Sequence, residues 1–289
     1  MRLALFIGCK IPACVPAYEI SARAVLTRLG VELVTVDFGC CGYPSRSLRL
    51  DAYLLLAARN LALAAARHLD VLTLCQCCYG SLRHAQHLLV REPAARDFVT
   101  TALAREGLAL APSTRVHHLL DLLARELGLD AVAARVTKPQ RELKVAAHYG
   151  CHALRPSDVV ALDNPNAPVV FERLLAAAGA SAVDWPRRLE CCGAPIAESS
   201  PVIAGRMRAA KLDDAREAGA EWLCTACPWC QDQLAPAAAA AGLRAVLYPQ
   251  LLGLAFGLSP AELGMSRDIP TAEAPVCVPR TGRQSPKRH

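Results

Sequence analysis

The chain has 289 residues, of which 53% are hydrophobic and 20% charged, with a formal net charge of +6. That is enough apolar material for one large core or two ordinary ones without cross-links, so a soluble globular fold is expected and a small disulfide-stapled scaffold is set aside. The modest positive charge has no basic stripe with interleaved aromatics behind it, which gives nucleic-acid binding no support.

The first predicted element is a buried strand, Leu3 to Ile7, which runs into Gly8-Cys9. Its five apolar residues are too few for the roughly 7 to 15 of a secretory signal core, so the fourteen cysteines are expected to be cytoplasmic, reduced and available to metal. A helix over about Tyr18 to Leu29 follows, stopped by Gly30, and then a strand over Val31 to Phe38 that leads into Gly39-Cys40-Cys41-Gly42. The Leu/Ala-rich stretch Leu48 to Leu69 reads as a buried helix. Within it, Asp51, Arg59 and Asn60 interrupt the apolar run well short of the about 20 residues of a membrane span. Val71 to Leu74 is the next strand and ends at Cys75, with another helix from near Tyr79.

A linker is expected over Gly128 to Arg141, and the plan then repeats. Leu143 to His148 leads to Cys151, Arg188 to Glu190 leads to Cys191, and Glu221 to Leu223 leads towards Cys227. Between the last two lies a helix over Pro201 to Ala218 with a Gly219 stop. Strands alternating with helices predict an α/β fold of two pseudo-symmetric repeats, each a mostly parallel sheet with flanking helices and with cysteines at the carboxyl ends of the strands. The expected division is residues 1–141 as a first repeat, 142–264 as a second and 265–289 as a mobile basic tail.

Five thiols therefore recur in one order: Cys9, Cys40-Cys41 and Cys75-x-x-Cys78, then Cys151, Cys191-Cys192 and Cys227-x-x-Cys230. A structural zinc takes four ligands and usually two C-x-x-C pairs, while an ordinary [4Fe-4S] cluster favours compact C-x-x-C-x-x-C runs, which are absent here. Five thiolates suit a larger or distorted iron-sulfur assembly. Spacing by itself leaves iron-sulfur, zinc and metal-free dithiol chemistry open. His148 and His152 flank Cys151 as candidate proton donors or hydrogen-bond donors to sulfide, with packing at the strand end as the plainer role. Arg155 is a candidate for attracting an anionic substrate, although a solvated surface arginine is the commoner case.

The two quintets, with Gly8-Cys9-x-Ile11-Pro12, Cys78-Tyr79-Gly80-Ser81-Leu82, Gly150-Cys151-His152 and Thr225-Ala226-Cys227-Pro228-Trp229-Cys230, resemble the tandem CCG domains of the HdrB-like family of heterodisulfide reductases over about residues 1 to 260. The resemblance implies two noncubane [4Fe-4S] clusters, one on Cys9, Cys40, Cys41, Cys75 and Cys78, the other on Cys151, Cys191, Cys192, Cys227 and Cys230. It implies a catalytic subunit that makes or breaks disulfide bonds at those clusters. The partners it implies are a ferredoxin-like protein of the HdrC type and a flavoprotein of the HdrA type.

Gly42-Tyr43-Pro44 after the first doublet, and the short interval from Cys9 to Cys40, are similar to bacterial sulfur-oxidation versions, for which a lipoate-carrying protein presents the sulfur. The competing resemblance is to CCG-domain electron-transfer subunits of succinate, glycolate or lactate respiratory dehydrogenases. Many of those carry a ferredoxin-type cysteine run that this chain lacks. Outside the quintets, Cys14, Cys77 and Cys224 are expected to be small packing residues, and Cys277 lies in the tail. Cys224-x-x-Cys227 offers an alternative register for the last pair. No dinucleotide-binding or phosphate-loop fingerprint is present, so flavin and nucleotide are expected on partners.

Overall fold

A computed structural model describes residues 1–265; Cys277 and all of the predicted tail after Met265 lie outside the described residues. The first repeat runs β1 (Arg2–Phe6), α1 (Lys10–Cys14), α2 (Pro16–Arg28), β2 (Glu32–Val34), α3 (Leu50–Ala65), β3 (Asp70–Thr73), α4 (Gln76–Arg91), α5 (Pro93–Ala104) and β4 (Val116–His118). A short helical connection, α6 (Leu119–Asp121), a π-turn over Leu122–Glu126 and α7 (Leu129–Ala133), leads across. The second repeat runs β5 (Lys144–His148), α8 (Ser157–Val160), α9 (Val170–Ala177), β6 (Ser181–Val183), α10 (Pro201–Glu217), β7 (Trp222–Thr225), α11 (Pro228–Ala238), β8 (Arg244–Leu247) and α12 (Tyr248–Ala255).

Each repeat folds into a four-stranded sheet, with orders β2-β1-β3-β4 and β6-β5-β7-β8, and every pairing is parallel. The two orders are one topology written twice, as the duplicated cysteine pattern predicts. Helices cover both faces, so β1 and β5 are buried from their second residue onward, with consecutive apolar runs, Leu3–Phe6 and Val145–Ala147, rather than an alternating pattern.

Two predicted strands differ from the structure. β2 stops at Val34, and residues 35–42 leave the sheet edge as irregular chain that carries the doublet inward. The cause is Asn60 of α3, whose amide accepts from Gly39 N at 2.9 Å and donates to the Cys40 carbonyl at 2.9 Å, satisfying backbone groups that a strand would have paired. Arg188 to Glu190 is not a strand. Pro186 fixes its own φ, lacks an N–H donor and opens a 3₁₀ turn over Pro186–Leu189, while the strand pairing with β5 is Ser181–Val183. β4 and β8 went unpredicted, and α4 starts at Gln76, three residues before the predicted Tyr79.

The repeats interleave. α12, at the end of the second, packs against α2 of the first, and Thr137 N and Lys138 N both donate to the Ala255 carbonyl at 2.9 Å. α4 packs on the Cys151–Ala153 turn, and Tyr79 Oη donates to the Val160 carbonyl at 2.7 Å. The wholly buried His118, at the end of β4, reaches the Ala226 carbonyl with Nε2 at 3.2 Å, next to Cys227. These contacts bring the carboxyl ends of the two sheets together.

Candidate metal centre

The local chain explains how each thiol is placed. β3 passes directly into α4 with Cys75 at the N-cap position, so Cys78, three residues on, lies one turn away on the same helix face. Cys227 caps α11 in the same way, with Pro228 at the first helical position, where its missing N–H costs nothing, and Cys230 is one turn further. Both pairs therefore sit at helix N-termini, where unpaired N–H groups favour thiolate over thiol, although contacts with Cys41 and Cys75 raise Cys78 and contacts with Cys192 and Cys227 raise Cys230. The doublets turn on Gly42 (φ +81°) and Gly193 (φ +86°), whose N–H groups donate to Cys40 and Cys191 Sγ, each at 3.4 Å.

The structure brings each predicted quintet together. In the first, the thiols link as Cys9–Cys40–Cys41–Cys78–Cys75 by side-chain hydrogen bonds. In the second, they link as Cys151–Cys191–Cys192–Cys230–Cys227, the same path. Hydrogen bonds from Cys41 and Cys9 pull Cys40 down to about 2, and bonds from Cys151 and Cys192 pull Cys191 down to about 2. The same contact with Cys40 pushes Cys9 up, and that with Cys191 pushes Cys151 up. Burial opposes ionisation of Cys227, yet bonds from Cys230, Cys75 and Cys77 hold it well below the usual thiol range. The two paths meet: Cys75, Cys77 and Cys227 Sγ lie within 4.8 Å of one another.

Soft sulfur donors crowded like this, partly ionised and largely shielded from water, fit a thiophilic metal assembly. The surrounding backbone is cut away for it. A Cβ on Gly8 would lie 2.9 Å from Cys78 Sγ, whereas one on Gly150 would collide with the Gln76 side chain and only touch Cys230 Sγ, at 3.4 Å. His148 is 1% exposed, groups with Cys192 and Cys230 within 4.8 Å, and has both ring nitrogens unpartnered among the described residues. Burial lowers it to about 3, so the ring is neutral and has one N–H to offer.

A cavity of about 670 Å³ opens against the second quintet, lined by Cys151, Cys191 and Cys227 together with Arg46, Ser47 and Glu198. A narrower space beside the first quintet is lined by Cys9, Cys41 and Cys75, and Cys77, Tyr43 and Trp229 border both. His152 Nδ1 lies 3.5 Å from both Cys77 and Cys151 Sγ, and its ring meets Tyr43 edge-on with centroids 4.9 Å apart.

Of the remaining cysteines, Cys224 is wholly buried in β7, where burial alone raises it. Cys77 is half-buried and borders the cavity rather than packing in the core. Cys14 is half-buried and disulfide-bonded, not a buried free thiol. Arg155 is exposed, its side chain reaches only the Pro165 carbonyl, at 3.4 Å, among the described residues, and it does not line the cavity.

Three residues beside the thiols escaped the sequence reading. Lys10, 2% exposed, pairs with Asp232 at 2.9 Å and lies 4.5 Å over the Trp229 ring. Asn60 holds the first doublet, and Lys211 is buried where Cys191 and Cys192 act on its charge. Lys10 was findable as the neighbour of Cys9, in the place His152 takes beside Cys151. Asn60 and Lys211 sit within helices, and the signal that could have found them is their shared spacing, eighteen residues beyond Gly42 and Gly193 respectively.

The cysteine-rich CCG domain matches this chain twice, over residues 3–83 and 145–235. The chain is 34% identical over 280 residues to the B subunit of the Ferredoxin/F(420)H(2)-dependent CoB-CoM heterodisulfide reductase of Methanosarcina acetivorans, covering 92% of this chain and 93% of that protein. It is also 34% identical to the 8-methylmenaquinol:fumarate reductase membrane anchor subunit of Wolinella succinogenes, covering 93% of this chain and 96% of that protein. The fold is shared with a hypothetical protein from Helicobacter pylori at TM-score 0.74 and 17% identity, over 93% of this chain and 52% of that one. No helix among the described residues is long and apolar enough to cross a membrane.

Proposed function

Because the chain belongs to the cysteine-rich CCG-domain family, among the HdrB-like heterodisulfide reductase proteins, we propose that it is the sulfur-handling subunit of an oxidoreductase complex, working through two noncubane [4Fe-4S] clusters. Cys9, Cys40, Cys41, Cys75 and Cys78 would hold one, and Cys151, Cys191, Cys192, Cys227 and Cys230 the other. The observation that carries this reading is the meeting of two five-thiol paths at Cys75 and Cys227, with a cavity opening on the junction. Clusters held there supply iron able to bind thiolate sulfur and one electron each, matching the two electrons of a disulfide.

The chain's own residues supply the rest. Tyr43 and Trp229 line the space beside both quintets and give it apolar walls. His152, whose pKa burial lowers, holds its Nδ1 between Cys77 and Cys151, where a released thiolate would need a proton. The ferredoxin-like and flavin-bearing proteins belong to this proposal as electron partners, and the cytoplasm as its setting. Its finer form is bacterial sulfur oxidation, with lipoate-bound sulfur in the cavity and electrons leaving the site; the Gly42-Tyr43-Pro44 turn, whose Tyr43 lines the cavity, supports it.

A second reading, electron transfer in a fumarate- or succinate-linked complex, is favoured by the Wolinella relative. Anaerobically purified protein separates the two. Iron with acid-labile sulfide, and an electron paramagnetic resonance signal that changes on adding a dithiol or disulfide, is the expected result. A signal unmoved by any thiol would favour the second reading, and zinc without iron would sink both.

A further inference from the structure

The two centres are built alike except in charge. Asn60 and Lys211 are counterparts, each eighteen residues beyond its doublet glycine and on the helix that follows the doublet. Phe6 and His148 are likewise counterparts, each three residues before the lone cysteine. The first centre thus has a neutral amide and an apolar ring where the second has a lysine and an imidazole.

Lys211 is 1% exposed, its Nζ donates to the Arg187 carbonyl, and it lies 4.9 Å over the Trp185 ring. No carboxylate pairs with it among the described residues. Burying an unpaired ammonium is costly, and the groups whose ionised forms favour its charge are Cys230, Glu190, Cys192 and Cys191, three of them members of the second quintet that would be thiolates when holding a cluster. Burial lowers it only to about 8, so it stays largely protonated at neutral pH. The first centre's buried cation, Lys10, is already neutralised by Asp232 at 2.9 Å.

We propose, on the reading above that each quintet holds an iron-sulfur cluster, that the uncompensated ammonium of Lys211 makes the second centre the more easily reduced of the two. Reduction adds one electron and so one negative charge, and a fixed cation in a water-poor site stabilises that charge at short range. The substrate cavity opens on this centre, so an arriving disulfide or thiol meets the site with the stronger hold on electrons.

Potentiometric titration followed by electron paramagnetic resonance tests this on the full chain, with Cys191→Ser identifying the second centre's wave by its loss. Lys211→Gln should move that wave alone to lower potential by about tenfold in the reduced-to-oxidised ratio, ~59 mV for one electron. Lys211→Arg should leave it in place. Should Lys211→Gln fail to load, Lys211→Arg carries the test: an unmoved wave supports the role of charge, and a tenfold fall overturns it. A loaded Lys211→Gln protein with an unmoved second wave overturns the role of Lys211 alone. Wild-type chain without iron overturns the function reading as well.

Discussion

Asn60→Ala is the sharpest test of how the first doublet is held. Asn60 is 1% exposed and makes three hydrogen bonds: from Gly39 N at 2.9 Å, to the Cys40 carbonyl at 2.9 Å and to the Leu56 carbonyl at 3.0 Å. The Leu56 carbonyl keeps its helical bond inside α3, so truncation orphans two backbone groups, not three. An orphaned buried group costs roughly 1–3 kcal/mol. Cys40 is only half-buried, so water relieves part of that cost and a net loss of about 2–4 kcal/mol is expected. Urea unfolding of the metal-free protein measures it directly. Because the same bonds set the position of Cys40, anaerobically reconstituted Asn60→Ala should lose the first centre's iron and keep the second's. Asn60→Asp should fall between, since it still accepts from Gly39 but cannot donate to Cys40. A loss below about 1 kcal/mol with full iron in both centres would refute the reasoning.

Cys224→Ser and Cys230→Ser separate the two registers of the last pair. Cys224 is sealed inside β7 and Cys230 reaches Cys192 and Cys227, so Cys230→Ser should lose the second centre's iron while Cys224→Ser keeps it. The opposite pattern in an iron assay would reverse the assignment. Acid stability should depend on His118, whose neutral form is fixed by Nε2 meeting the Ala226 carbonyl at 3.2 Å and by Leu120 N donating to Nδ1 at 3.2 Å. Burial lowers His118 from 6.5 to about 4, so the unfolded chain takes the proton first. Its stability contribution is complete above the unfolded value and is lost as pH falls from about 6.5 towards 4, by roughly 3 kcal/mol at about 1.4 kcal/mol per unit. Unfolding midpoints of His118→Leu should fall less over that interval than those of the wild type, and parallel curves would count against it.

The repeat, the α/β alternation and the two quintets could all be read from the chain, because each rests on local spacing. A strand that is buried on both faces must be apolar throughout, and a Cys-x-x-Cys at a strand-to-helix turn must place its thiols one helical turn apart. β2 and the supposed strand at Arg188 misled for the opposite reason. Val31 to Phe38 has strand composition along its length, but Asn60, on a different helix, captures the backbone of Gly39 and Cys40. Pro186 supplied a local warning that the short apolar cue at Leu189 obscured.

Only the tertiary structure decided that the quintets meet at Cys75 and Cys227, that Cys77 faces the cavity, and that Lys211 replaces Asn60 beside the second doublet. Residues that far apart are joined by sheet closure and by helices crossing between repeats. The charge that distinguishes one centre from its twin comes from a lysine whose burial depends on the packing of α10 against the rest of the second repeat. Its spacing from Gly193 marks it as the counterpart of Asn60, but its place midway along a charged helix gives no sign that it is buried.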